Sequence, residues 1–281
     1  MRAPFGERLT TAVARSGPLC AGIDPHASLL EQWGLPVDAS GLERFAMTCA
    51  EAFAGEVAVV KPQSAFFEAH GSAGVAVLER LIAAFLDTGT LVLADVKRGD
   101  IGSTMAAYAQ AYLGEGSPLA ADAVTVSPYL GFGSLDPALD LAQRTGRGLF
   151  VLALTSNKEG PQVQRARSTE GVSVAQTIVA EAAARNDGAR PLGSVGLVVG
   201  ATVGRTELDL SRLNGPILAP GFGAQGAGVG DLRNVFGDHL RHVLPASSRD
   251  ILRHGPDVTA LRDAALRVRD LVRLPGIQLG W

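Results

Sequence analysis

The chain has 281 residues, a formal net charge of −3 and a pI near 6.0, and 47% of its residues are hydrophobic. This much apolar material excludes a disordered chain, and the lack of a basic excess argues against a nucleic-acid-binding protein. The length is compatible with one domain or two, because α/β barrels commonly reach this size as a single unit.

Short apolar runs alternate with longer amphipathic stretches along the chain. Most of the runs are continuous rather than alternating, as is typical of parallel strands buried on both faces. The predicted strands are Leu19–Ile23, Val57–Lys61, Leu91–Asp95, Ala123–Val126, Leu149–Leu154, Val195–Val199, Ile217–Ala219 and His242–Pro245. The predicted helices are Gly41–Ala54, Gly74–Asp87, Thr104–Leu113, Ser134–Arg144, Val172–Arg185, Arg205–Leu213, Asp231–Arg241 and Thr259–Arg273.

This alternation predicts an α/β fold, a (β/α)₈ TIM barrel that forms a single domain over residues 1–281. A doubly wound open sheet is the alternative. One polar stretch, at about 155–171, follows the fifth predicted strand and is long for a loop. Long loops are often functional, and this one would lie on the catalytic face of a barrel. It contains Lys158, which we interpret as a solvated side chain without an assigned role.

Lysine is scarce in this chain. The chain has three lysines, Lys61, Lys97 and Lys158, and 22 arginines. Lys can release a proton, whereas Arg stays protonated in proteins, so the three lysines are the first candidates for proton chemistry. A codon bias that left three lysines at random positions is the alternative.

The third predicted strand runs directly into charged residues, in the sequence LVLADVKRGDIGST. Asp95 and Lys97 are two residues apart, so their side chains point the same way on an extended strand, and Asp100 follows on the turn. Lys61 ends the second predicted strand. The carboxyl ends of barrel strands share one mouth, so we expect these two lysines and two aspartates to converge there. Thr104 is a candidate cap for the next helix. An ordinary surface salt bridge is the alternative.

This segment resembles the signature of the orotidine 5′-phosphate decarboxylase family, Asp-x-Lys-x-x-Asp-Ile-x-x-Thr, and matches it at every position. Further motifs resemble the bacterial type 2 subgroup and occur in barrel order over nearly the whole chain: AGIDPH, KPQSAFFEAHG, SPYLG, TSN, APGFGAQG and SSRDIL. The resemblance implies conversion of orotidine 5′-monophosphate (OMP) to uridine 5′-monophosphate (UMP) and carbon dioxide. It implies no metal and no cofactor.

The resemblance also implies residue roles. The catalytic array would consist of Lys61, Asp95, Lys97 and Asp100, with Lys97 as the proton donor to C6 of the pyrimidine. Asp100 and the two residues Ile101 and Thr104 would complete the site of a second subunit, which makes a homodimer obligatory for activity. In the remaining positions, Asp24 would bind the ribose hydroxyls, Ser156 the pyrimidine, and Pro220 would form an apolar wall.

The segment GFGAQG formally satisfies a dinucleotide-binding motif, G-x-G-x-x-G. It lies late in the chain, and the next strand ends without the acidic residue that such a fold requires. In a barrel, the loops after strands seven and eight bind phosphate, and GFGAQG and SSR follow those strands. Glycine N–H groups, the Gln225 amide and the Arg249 guanidinium are therefore the predicted phosphate ligands, and the family resemblance implies the same two side chains.

The sequence is also compatible with two other functions. A metal-dependent decarboxylase or aldolase of the same superfamily shares Asp-x-Lys-x-x-Asp but has an acidic metal ligand at the position of Lys61. A non-catalytic sensor of a phosphate-bearing ligand is the second. His26 and His70 follow the first two predicted strands and are assigned no role.

The remaining composition predicts a cytoplasmic protein. Cys20 and Cys49 are too few for a disulfide framework or a four-thiolate zinc site, which indicates buried thiols in a reducing compartment. The first 16 residues lack the apolar region of a signal peptide. The sequence has no run of 18 apolar residues, so we expect no membrane-spanning segment.

Overall fold

The computed structural model describes residues 2–204, 207–223 and 226–273, and within them eight parallel strands form one closed sheet. The strands are β1 (Cys20–Ile23), β2 (Val59–Pro62), β3 (Leu91–Arg98), β4 (Ala123–Val126), β5 (Gly148–Leu154), β6 (Val195–Val199), β7 (Ile217–Pro220) and β8 (Val243–Ser247). Each strand pairs with the next, and Cys20 of β1 lies beside both Val59 of β2 and Ala246 of β8. The predicted (β/α)₈ barrel is confirmed, and the open sheet is excluded because the first and last strands pair.

Helices surround the barrel. They are α1 (Phe5–Ser16), α2 (Ala27–Gln32), α3 (Ala39–Phe53), α4 (Ser64–Glu68), α5 (Gly71–Ala84), α6 (Gly102–Leu113), α7 (Asp136–Thr145), α8 (Pro161–Gln164), α9 (Val174–Arg185), α10 (Val229–Phe236), α11 (Arg249–Leu252) and α12 (Val258–Val272). Short 3₁₀ helices lie at Phe132–Leu135 and Gly237–His242. Among the described residues, no helix combines the length and apolar character that crossing a bilayer requires.

Inward-facing strand residues form a core inside the barrel, and α1 closes this core at the amino ends of the strands. Leu93, Phe150 and Leu244 are fully buried here. Phe5 of α1 packs edge-on against Phe150, with the ring centroids 5.9 Å apart. Burial of one such aromatic side chain contributes about 1.5–3 kcal/mol. Since α1 fills the amino end, the space for a ligand lies at the carboxyl ends of the strands.

The predicted helix at 205–213 is wrong over its described part, which consists of extended chain and turns from residue 207 onward. Gln176 of α9 binds the backbone of Asp209 twice: its side-chain oxygen accepts from the N–H at 2.8 Å, and its amide donates to the carbonyl at 3.3 Å. Such side chain–backbone bonds compete with helix formation. Leu210 is buried nonetheless, so the apolar residues that suggested a helix belong to an irregular segment that packs on the barrel.

The predicted helix Asp231–Arg241 is also wrong in its second half, because α10 ends at Phe236. Gly237 follows with a φ of +49°, a left-handed conformation that glycine adopts readily and that ends a regular helix. The chain continues as a 3₁₀ helix, and β8 begins at Val243 rather than at His242.

Candidate active site

A cavity of about 450 Å³ opens at the carboxyl ends of the barrel strands. Seven residues predicted to form the site line it: Asp24, Lys61, Asp95, Lys97, Ser156, Pro220 and Arg249. They come from six different strand ends or the loops that follow them, so closure of the barrel brings them together from distant parts of the sequence.

Asp95 is buried at the base of this cavity and accepts hydrogen bonds from four side chains. Its Oδ2 atom accepts from Lys61 Nζ and from Gln63 Nε2, both at 2.9 Å. Its Oδ1 atom accepts from Lys97 Nζ at 2.6 Å and from Thr125 Oγ1 at 2.8 Å. Donors on three neighbouring strands therefore fix both carboxylate oxygens, and Asp95 in turn fixes the ammonium of Lys97.

The charges of this cluster stabilise one another. Burial alone would raise the pKa of Asp95, but the positive charges of Lys61 and Lys97 outweigh it and hold the pKa well below its usual range. Burial alone would lower the pKa of Lys61, but Asp95 and Asp24 outweigh it and raise the pKa. Asp24 Oδ1 lies 3.9 Å from Lys61 Nζ. Lys61 and Asp95 are therefore both charged at neutral pH, although each is buried.

β3 is irregular where it carries the catalytic candidates. Ala94 pairs with Val124 of β4, whereas Arg98 pairs with Val126, so β3 contains two extra residues between these pairs. Lys97 lies inside this bulge with a φ of +46°, a left-handed conformation that costs a non-glycine residue about 1–2 kcal/mol. Backbone strain of this kind is concentrated at functional sites. The bulge directs the Lys97 side chain to the mouth, where it is 45% exposed.

Thr125 of β4 holds the bulge in place. Its hydroxyl accepts from the Lys97 backbone N–H at 3.0 Å and donates to Asp95 at 2.8 Å, and the residue is buried. We expect Thr125→Val to reduce the free energy of unfolding by about 1–3 kcal/mol, because it removes the acceptor of the Lys97 N–H and a donor to the buried Asp95 carboxylate. Urea denaturation measures this loss. Thr177→Val is the matched control, since the Thr177 hydroxyl is exposed and donates to the carbonyl of Ser173, the N-cap residue of its helix. An equal loss in both variants would contradict this role.

Within the described part of the chain, three polar atoms of the cavity residues are buried without a hydrogen-bond partner: Asp24 Oδ1, Ser247 Oγ and Ser248 Oγ. Buried polar groups are normally paired. This carboxylate oxygen and these two hydroxyls could therefore form hydrogen bonds with a ligand that has several hydroxyl or phosphate groups.

The phosphate end of the predicted site differs in part from expectation. Arg249 begins α11, and within the described residues its guanidinium forms no hydrogen bond or ion pair, so it is free for an anion. Gly223 has a φ of +82°, and a Cβ atom there would collide with Asp250. The N–H groups of Gly223 and Gly226 donate to loop carbonyls at 2.8 and 2.7 Å, so the prediction that the loop's glycine N–H groups bind phosphate is wrong for these two. Gln225 lies outside the described residues.

Asp100 does not join the cluster of its own chain. Its carboxylate accepts from the Ile101 N–H at 2.8 Å, and no lysine lies within 4.0 Å of it in the described part of the chain. The position of Asp100 follows from the backbone before it. The Arg98 carbonyl accepts a 2.8 Å hydrogen bond from the N–H of Ser127, just after β4, and the turn after Arg98 does not line the cavity. The convergence of two lysines and two aspartates within hydrogen-bonding distance is therefore wrong for Asp100. Asp24 is the second carboxylate near Lys61.

Ile101 and Thr104 also lie outside the cavity of their own chain, and both are exposed. Thr104 does not cap α6, because this helix begins at Gly102 and has no side-chain cap. The exposed face that contains Asp100, Ile101 and Thr104 is available to a second molecule.

Gln63 and Thr125 are the site residues that sequence reasoning missed. A signal exists for both: Gln63 follows Lys61 by two residues, and Thr125 is a polar residue within an apolar strand. His26, which was assigned no role, lines the cavity and packs against Phe66 with ring centroids 4.2 Å apart. Neither His70 nor Lys158 lines the cavity. Within the described ranges, no group of three or more His, Cys, Asp or Glu residues is arranged to hold a metal ion.

A closed parallel barrel with a charged, ligand-sized cavity at the carboxyl ends of its strands defines an enzyme of the TIM-barrel class. Residues 17–264 match the family described as "Orotidine 5'-phosphate decarboxylase / HUMPS family", and the chain belongs to this family.

Named relatives support the membership. The orotidine 5′-phosphate decarboxylase of Salinispora tropica is 63% identical over 264 residues, which cover 94% of this chain and 95% of the relative. A Streptomyces avermitilis crystal structure assigned to the same enzyme has a TM-score of 0.94 and 60% identity, over 97% of this chain and 95% of that chain. The OMP decarboxylase of Leishmania donovani has a TM-score of 0.70 and 29% identity, over 96% and 98%. These relatives are carboxy-lyases.

Proposed function

We propose that this chain decarboxylates OMP to UMP and carbon dioxide, the last step of de novo UMP synthesis, without a metal or cofactor. The observation that carries the proposal is the buried Asp95 that bridges Lys61 and Lys97 inside the cavity, in a chain of this enzyme family. The cavity, at about 450 Å³, is of the size that holds a small-molecule ligand. Its arrangement also fits the ends of a nucleotide, with Asp24 toward the ribose, Ser156 and Pro220 toward the base, and Arg249 toward the phosphate.

The chemistry follows from the position of Lys97. When the bond between C6 and the carboxylate breaks, carbon dioxide leaves and the electron pair stays on C6. A fixed ammonium beside that carbon stabilises the developing negative charge and then transfers a proton from Nζ to C6. The resulting amine regains a proton from solvent. An arginine could supply charge at this position but not the proton, which accounts for a lysine in an arginine-rich chain.

We further propose a homodimer with shared active sites. Asp100, Ile101 and Thr104 lie outside their own chain's cavity. Ile101 is 61% exposed, and Tyr129, on the loop after β4, is 77% exposed. Large apolar side chains that are exposed to this degree favour burial against another protein surface. Within such a dimer, Asp100 of each subunit would complete the charged array of the other.

Turnover of OMP tests the proposal. We expect the purified chain to consume OMP, seen as a loss of its ultraviolet absorbance, and to release UMP at the same rate with or without excess EDTA. Activity that disappears on chelation and returns with a divalent cation would favour the metal-dependent alternative. Binding of OMP without turnover would favour a sensor.

Arg249→Ala should raise the KM for OMP about 10- to 100-fold, because a charge-assisted hydrogen bond to phosphate contributes about 1.5–3 kcal/mol. The matched control is Arg253→Ala, which removes the guanidinium one turn further along, where it is 62% exposed and 3.8 Å from its nearest carboxylate. Steady-state kinetics on both variants measure their KM values. Equal KM values in the two variants would argue against phosphate binding by Arg249.

We also propose that the enzyme acts in the cytoplasm. Both cysteines are free and buried in the structure, which is typical of proteins from a reducing compartment.

A further inference from the structure

A second cavity of about 450 Å³ lies at the opposite, amino end of the barrel, between α1, the end of α5 and the start of β5. One of its walls is apolar and includes Ile82, Phe85 and Leu86. The other wall carries the guanidinium groups of Arg2, Arg8, Arg15 and Arg147. None of these residues belongs to the site described above.

The guanidinium groups near Asp122 outnumber the carboxylates that pair with them. Asp122 Oδ1 lies 2.6 Å from Arg8 Nη1 and 3.4 Å from Arg2 Nη1, while Asp122 Oδ2 accepts from the Val92 N–H at 2.9 Å. One carboxylate, already bonded to the backbone, thus serves two arginines. Glu7 and Asp87 also line the cavity, and neither forms an ion pair with these arginines within the described ranges.

Arg147 is the unsatisfied member of this group. The residue is only 8% exposed, and its Nη1 atom donates to the Ala121 carbonyl. Its Nε atom is buried without a partner, and in the described part of the chain no carboxylate oxygen lies within 4.0 Å of its guanidinium. Burial lowers the pKa of Arg147 to about 10. The positive charges of Arg2 and Arg8 act in the same direction, and the carboxylates of Asp122 and Glu115 act against it. A buried cation with no carboxylate in direct contact is costly, and a bound anion would reduce this cost.

We propose that this cavity binds a phosphomonoester, with the phosphate between Arg2 and Arg147 and the ester group against the apolar wall. Both arginines line this cavity, and the charge of Arg2 lowers the pKa of Arg147. Their backbones are also close, since a Cβ atom on Gly146, the residue before Arg147, would lie 2.7 Å from the Arg2 carbonyl oxygen. Guanidinium groups bind phosphate oxygens through paired N–H donors. The cavity exceeds the size of a lone phosphate ion, and Leu86, which is 60% exposed, offers apolar surface to the rest of the ligand.

Calorimetric titration of the full chain with phenyl phosphate tests the site, with inorganic phosphate as the second arm and chloride used to keep the ionic strength constant. Arg249→Ala serves as the background, because it weakens phosphate binding at the cavity on the opposite face. We expect one phenyl phosphate per chain in this background, bound more tightly than inorganic phosphate. Adding Arg147→Met should weaken binding at least about tenfold. The matched control, Arg144→Met, changes an exposed arginine outside the cavity and should leave binding unchanged.

Arg2→Gln provides a second variant if Arg147→Met does not fold, since the Arg2 side chain is 35% exposed. We expect it to weaken phenyl phosphate binding about three- to tenfold. No binding in the Arg249→Ala background, or unchanged binding in both cavity variants, would overturn the proposal. Equal affinities for phenyl phosphate and inorganic phosphate would contradict the contribution of the apolar wall.

Discussion

Lys97→Ala should lower the kcat for OMP decarboxylation by at least about 10⁴-fold, because it removes both the charge that stabilises the electron pair on C6 and the proton that C6 accepts. The fold should persist. The Lys97 side chain is 45% exposed, and Asp95 keeps its hydrogen bonds from Lys61, Gln63 and Thr125. Steady-state kinetics and the circular dichroism spectrum of the variant measure the two effects.

Lys158→Ala is the matched control for this experiment. It removes the third lysine of the chain, which is exposed on the loop after β5 and does not line the cavity. We expect its kcat and KM to stay within about twofold of the wild-type values, as is usual for surface substitutions away from special features. Near-normal activity in Lys97→Ala, or equal losses in the two variants, would remove Lys97 from the mechanism.

Mixing two inactive variants, Asp95→Asn and Asp100→Asn, should restore about a quarter of the wild-type activity if each site contains residues from both subunits. Random exchange at equal concentrations makes half of the dimers mixed. In a mixed dimer, one site receives Asp95 from one chain and Asp100 from the other and is intact, while the second site carries both substitutions.

A second mixture provides the control for this complementation. Lys61 and Asp95 meet within a single chain, with Nζ and Oδ2 2.9 Å apart, so mixing Lys61→Met with Asp95→Asn cannot assemble an intact site. We expect no recovery in that mixture. Native mass spectrometry confirms subunit exchange in both. Exchange without recovery in the Asp95→Asn and Asp100→Asn mixture would contradict the shared site.

The regular parts of the fold were predictable because their sequence pattern follows from burial. β4 and β6 have the predicted bounds, and both are buried runs that are apolar apart from Thr125 of β4. The segment at 207–213 was not predictable, since the backbone of Asp209 is held by Gln176, a residue about 30 positions earlier in the chain. The helix α1 was missed as well. This helix closes the amino end of the barrel through contacts such as that between Phe5 and Phe150, and contacts between residues so far apart in sequence are not visible in a local pattern.

Sequence spacing predicted the meeting of Asp95 and Lys97 but not the reason for it. The two side chains meet across a bulge in which Lys97 has a left-handed backbone, whereas the prediction assumed a regular strand. Spacing also misplaced Asp100, because the turn after Arg98 depends on a bond to β4. The donors Gln63 and Thr125 could have been proposed from the alternation of strand residues. Their distances to Asp95 require the closed barrel.

The most direct test of the proposed chemistry is proton NMR of the product formed from OMP in D₂O. We expect the wild-type chain to release one carbon dioxide per OMP and to form UMP with deuterium at C6, since Lys97 exchanges its protons with solvent before it protonates that carbon. OMP that stays unchanged, or UMP that carries a proton rather than deuterium at C6, would contradict this mechanism.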